Sequence, residues 1–89
     1  MQNFFSDEFG DFYRRLLPSV QKQADRAFEH FEHDSRYPSL KFKCVNQQQS
    51  RYTIRINKRC RALGHMIDEE VTWYWIGNDH DEYERKING

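Results

Sequence analysis

No apolar run in this 89-residue chain approaches the roughly 20 residues that cross a bilayer, and the N-terminal MQNFFSDEFG lacks the basic-then-apolar layout of a secretory leader. A cytoplasmic protein with no membrane partner is the expectation. Cysteine is scarce: Cys44 and Cys60 have no CxxC spacing, which fits two small apolar side chains in a reducing compartment better than a disulfide or a metal pair. His30 and His33 lie one helical turn apart, but no third ligand of suitable spacing follows, so surface histidines and no metal or other cofactor are expected. The length leaves no room for a second domain. Residues 1–89 read as a single domain whose modest buried fraction would gain stability from a second chain covering part of it.

Acidic residues are missing from one long stretch. Ser35 to Ile67 contains eight basic residues (Arg36, Lys41, Lys43, Arg51, Arg55, Lys58, Arg59 and Arg61) and no Asp or Glu. Because Lys plus Arg and Asp plus Glu each total 14, the remainder holds six basic and fourteen acidic residues, and the neutral chain divides into parts of +8 and −8. Such polarisation suits the binding of an anion on one side, or mutual neutralisation of the two parts in the fold.

What is abundant is aromatic: seven Phe, five Tyr and two Trp supply large apolar groups for a core despite 31% charged residues. Ser6, followed by acidic Asp7 and Glu8, opens a short helix over residues 6–17 with Phe9, Phe12, Tyr13 and Leu16 on one face. Pro18 breaks it and starts a second helix, to about His33, with the stripe Val20, Ala24, Ala27, Phe28, Phe31. Alternation then predicts strands over 40–45, with Leu40, Phe42 and Cys44 facing the helices and Lys41 and Lys43 opposite, and from Tyr52 to Asn57. Lys58-Arg59 forms a basic turn. Cys60 to Ile67 is a third strand, with a bulge expected near Gly64, and Val71 to Ile76, apolar on both faces, is an interior fourth. The tail from Asn78 to Gly89 is acidic and weakly helical over Glu84 to Ile87. The fold class is therefore α+β: an N-terminal helical hairpin on a four-stranded, mainly antiparallel sheet, with a short C-terminal tail or helix.

This order of elements, with YTIRIN, RALG, WYWIG and HDEY in succession, resembles the RelE/ParE superfamily of type II toxin–antitoxin toxins over nearly the whole chain. The resemblance implies a small bacterial toxin neutralised by a cognate antitoxin protein, in complexes that can grow to higher order. Its RelE branch implies a ribosome-dependent endoribonuclease that cleaves mRNA without a cofactor. Matching motif to motif, His80 takes the place of a general acid or base, Arg61 and Arg55 of phosphate clamps, and Tyr83 of a stacking or proton-relay group. Lys41, Lys43, Lys58 and Arg59 fall where the RNA backbone would lie, and His65 is held as a second acid–base candidate. Cys60 stands where relatives commonly carry Tyr, and one extra residue separates Gly77 from His80. The ParE branch implies instead a gyrase inhibitor without chemistry of its own, and an inactive relative that only binds its antitoxin is the third reading.

Overall fold

The computed structural model describes residues 1–89. The chain runs β1 (Gln2–Phe5), α1 (Asp7–Arg14), α2 (Pro18–His33), a 3-10 turn (Pro38–Leu40), β2 (Lys43–Asn46), β3 (Arg51–Arg55), β4 (Arg61–Ile67), β5 (Glu70–Gly77) and α3 (His80–Asn88). One sheet has the order β1-β5-β4-β3-β2, antiparallel except where β1 runs parallel to β5. The α+β class and the hairpin-on-sheet arrangement are as expected. No helix is long and apolar enough to cross a membrane.

The Ser6 hydroxyl accepts from Phe9 N (3.1 Å) and caps α1, while Pro18 sits in the first turn of α2. Gln21 Nε2 donates to Tyr13 O (3.0 Å) and Tyr13 Oη to Asp25 Oδ1 (2.7 Å), which sets the hairpin angle. The α2 stripe Ala24, Ala27, Phe28 and Phe31 then packs on Ile54, Ala62, Val71, Trp73 and Ile76 of the sheet. A smaller cluster forms on the reverse face, where Leu63, Trp75 and Ile87 are buried with Val45, Tyr74 and Tyr83 at its margin.

Three differences from the sequence reading have local causes. The sheet has five strands, because Gln2–Phe5 adds a parallel edge strand. It is held by Asn3, whose Nδ2 donates to Phe28 O and whose Oδ1 accepts from Trp73 Nε1, both at 2.8 Å; nothing in four residues of local pattern signals those partners. The strand expected over 40–45 begins only at Lys43. Pro38 starts a tight turn that buries Leu40, and Lys41 adopts a left-handed conformation (φ 47°) that breaks the alternation. Lys41 is therefore outside the sheet and Cys44 is exposed rather than packed under the helices, although Phe42 does pack on Phe31. The C-terminal helix starts at His80 instead of Glu84, because Asp79 Oδ1 accepts from Glu82 N (3.1 Å) and caps it.

The bulge expected near Gly64 is there, with its extra residue on the partner strand. Leu63 pairs with Trp75 and Gly64 with Trp73, leaving Tyr74 unpaired. A Cβ on Gly64 would come within 2.5 Å of Val71 Cγ1 and 2.7 Å of Trp73 Cε3, so the position admits only glycine without a shift of the core. The bulge turns both Tyr74 and Trp75 to the α3 side, while Trp73 and Ile76 stay on the other.

Asp68 (φ 50°) and Glu69 (φ 67°) link β4 to β5 as a two-residue turn with both residues left-handed, where Asn-Gly is the favoured pair. Replacing them by Asn-Gly should stabilise the protein by about 1 kcal/mol. A denaturant midpoint that fails to rise would contradict the turn geometry.

Candidate functional site

The β3–β4 turn is organised by one carboxamide. Asn57 Oδ1 accepts from Arg59 N (2.8 Å) and Cys60 N (2.9 Å), and Asn57 Nδ2 donates to Gln23 Oε1 (2.7 Å) on α2. Lys58 and Arg59 are thereby held out into solvent. Arg61, the first residue of β4, turns back on the same turn: its Nη1 donates to Asn57 O (2.7 Å) and Cys60 O (3.2 Å). Those bonds fix the guanidinium while leaving most of its five N–H donors free for an anion.

The opposite wall is α3. Its last carbonyls, which a helix leaves unsatisfied, are taken up from the sheet. Arg51 Nη1 donates to Lys86 O (2.8 Å) and Ile87 O (2.9 Å), Tyr74 Oη to Lys86 O (2.7 Å), and Asn46 Nδ2 to Ile87 O (3.1 Å). Nearer its start, Glu82 Oε1 accepts from Trp75 Nε1 (2.8 Å) and the Tyr83 ring packs 5.8 Å from the Trp75 ring. His80 follows directly on the cap, largely exposed, with its ring 6.2 Å from that of Tyr83 and its Nε2 3.5 Å from Glu84 Oε1.

Between the two walls lies a cleft of about 420 Å³ lined by Lys58, Arg59, Arg61, Trp75, His80 and Tyr83, together with the Gly77–Asp79 segment. Five of the eight residues singled out from sequence thus meet in one cavity. The other three do not line it. Arg55 is the direct cross-strand neighbour of Arg61 in the backbone register but borders a separate hollow beside α2 with Gln23, Arg26 and His30. Lys41 lies next to Tyr37 and Pro38, and Lys43 is on the outer strand. His65 is also elsewhere: its Nε2 accepts from Arg51 Nε (3.4 Å) and its ring lies against Tyr74, near the C-terminal end of α3. Cys60 is buried in the helix-side core, where burial pushes its thiol up to about 11. His30, rather than standing free, stacks on Tyr37 with ring centroids 4.5 Å apart.

The electrostatics favour an anion. The ion pairs of the molecule are Arg14–Asp11, His80–Glu84 and Lys86–Glu8, so none of the eight cations between Ser35 and Ile67 is paired with a carboxylate. The basic part of the chain is not neutralised by direct pairing with the acidic part. Of the acidic residues at the start of α3, Asp79 caps the helix, Glu82 holds the indole and Glu84 faces His80. Sequence reasoning missed Trp75, Asn57 and Arg51 as parts of the site. An Asn before a basic turn was a readable signal for Asn57. The partners of Arg51 lie 35 and 36 residues away, and nothing local announces them.

A chain of the RelB–RelE antitoxin–toxin complex from Methanococcus jannaschii superposes with a TM-score of 0.74 at 12% identity, over 92% of this chain and 96% of that one. The intact E. coli RelBE complex gives 0.65 at 18%, covering 89% and 96%. The YoeB–YefM heterotetramer from Staphylococcus aureus gives 0.67 at 13%, covering 90% and 98%. At such identities these likenesses define a shared fold. No curated protein matches by sequence. The model of the ParE-like toxin domain matches residues 18–85, and the chain belongs to that family, within the RelE/ParE toxin superfamily.

Two outcomes follow from the α3 contacts. Arg51→Ala should cost about 2 kcal/mol, the scale for hydrogen bonds from a charged donor, with amide exchange speeding up throughout α3. Unchanged exchange there would refute the clamp. Burial first, and then the Arg51 charge, hold the His65 imidazole below its ordinary 6.5. A depressed folded value means that the fold favours neutral imidazole, a contribution present above the unfolded value and lost as pH falls through the folded one. An NMR titration of His65 should show its midpoint below 6.5, moving up in Arg51→Ala; a midpoint at or above 6.5 would contradict the assignment.

Proposed function

We propose that this chain is the toxin of a toxin–antitoxin pair and that it is a metal-independent endoribonuclease acting on mRNA in the ribosome, held inactive by its antitoxin. One observation carries the reading: His80, Tyr83 and Arg61 line one cleft with Lys58 and Arg59, and the basic segment supplying its cations has no carboxylate partner. In the reaction, the 2′-oxygen attacks the adjacent phosphorus, the bond to the 5′-oxygen breaks, and a 2′,3′-cyclic phosphate and a 5′-hydroxyl result. One proton leaves the 2′-hydroxyl and another reaches the departing 5′-oxygen. His80 is the imidazole placed for one of these transfers, and Tyr83, beside it, relays the other or stacks on a base. Arg61, held by the Asn57 and Cys60 carbonyls, stabilises the charge that builds on the phosphorane, with Lys58 and Arg59 around it. Arg55, Lys41 and Lys43, outside the cleft, contact the RNA backbone further along. A substrate of ribosome-bound mRNA would put this chemistry in the cytoplasm.

The family description favours a second reading, gyrase inhibition without RNA cleavage. Induced expression in a bacterium lacking the antitoxin separates the two. The native chain should arrest growth and leave new in-frame mRNA 5′ ends. His80→Ala should reduce cutting roughly 10²- to 10⁴-fold and Arg61→Ala about 10²- to 10³-fold. Arrest with intact mRNA and lost supercoiling, unmoved by His80→Ala, would replace the nuclease reading with the gyrase one.

A further inference from the structure

Beside the cleft lies a larger hollow of about 480 Å³, between the α1–α2 connection and the β3–β4 turn. The two adjoin, with Lys58, Arg59 and the Gly77–Asp79 segment as their common border. Leu16, Val20 and Ile76 give the hollow an apolar lining, and Leu17, 70% exposed, adds an unburied apolar side chain. Arg15 brings a third cation beside Lys58 and Arg59; its guanidinium lies 5.3 Å over the Phe12 ring and has no carboxylate partner. Gln23 uses its Oε1 on Asn57 and keeps its carboxamide N–H groups free. The two carboxylates of the hollow, Asp79 and Glu82, are occupied by the α3 cap and the Trp75 indole.

An apolar slot with free amide donors, bordered by unpaired cations, matches one ligand chemistry: a flat heterocycle joined to phosphates. The volume falls in the range of small-ligand sites, about 300–1,000 Å³. We propose that this hollow is a base subsite, taking the unstacked nucleobase next to the phosphate held by Arg61 in single-stranded RNA. Its apolar lining and Leu17 cover the base faces, Gln23 reads the base edge, and Arg15 with Lys58 and Arg59 holds the flanking phosphate. The subsite sets base preference at one position beside the cut. It rests on the nuclease reading for its substrate.

Binding of short 2′-O-methyl RNAs, which cannot be cut through their 2′-oxygens, tests the subsite apart from catalysis. Affinity should vary about tenfold with the base at one position. Arg15→Gln with Leu17→Ser, both at exposed positions, should erase that variation, while His80→Ala should keep it. Equal affinity for all bases, or a preference that survives the double variant, would overturn the subsite. So would an unchanged preference with weakened antitoxin binding, which would assign the hollow to a protein partner. RNA bound with base preference by a chain that leaves ribosome-bound mRNA whole would support the subsite and refute the nuclease; no RNA binding at all would overturn the subsite, with cleavage of ribosome-bound mRNA testing the nuclease separately.

Discussion

The site depends on how a nine-residue helix is kept on the reverse face of the sheet. A helix as short as α3 does not hold itself together in water, and one buried side chain, Ile87, gives it little purchase. Arg51, Tyr74 and Asn46 supply the rest by satisfying the last carbonyls, a favourable place for an arginine because helix C-termini carry partial negative charge. Asp79 and the Trp75–Glu82 bond fix the other end. His80 and Tyr83 line the cleft with Arg61 as a consequence, and their placement at one end of α3 is underwritten by hydrogen bonds at the other.

The bulge at Tyr74 makes that arrangement compatible with a two-sided core. In a regular strand Trp73 and Trp75 would share a face, and the helix layer would have to take both indoles. The extra residue sends Trp75, with Tyr74, to the α3 side and returns Ile76 to the α2 side. Gly64 permits it by bringing the β4 backbone close against Val71 and Trp73. Tyr74 then donates to Lys86 O, and Trp75 becomes the floor on which Tyr83 rests.

Much of this was legible in order along the chain. The helical hairpin, the strands of Arg51–Arg55, Arg61–Ile67 and Glu70–Gly77, and a bulge near Gly64 follow from capping, proline and alternation. The roles of His80, Tyr83 and Arg61 followed from the resemblance carried by RALG and HDEY, and the basic turn Lys58-Arg59 was read from the chain itself. What did not show was set by distant partners or by backbone choices without a periodic signal. Asn3 anchors β1 through contacts with Phe28 and Trp73, and the left-handed Lys41 moved the start of β2 and left Cys44 in solvent. Arg51 counted only as charge in the sequence, and Arg55 was assigned a phosphate-clamp role beside Arg61 from the YTIRIN motif, although it borders another hollow.

In the proposed nuclease reading, the charge division is what draws the substrate. Eight cations with no carboxylate partner are costly to keep together by self-repulsion, and a polyanion relieves that cost. What happens to RNA at the cleft therefore decides between nuclease and mere binder, and the ends left on the cut strand are the most direct test. Ribosome-bound mRNA incubated with the purified chain should yield a 2′,3′-cyclic phosphate upstream and a 5′-hydroxyl downstream of each cut. Products with a 5′-phosphate, or RNA that stays whole, would contradict it.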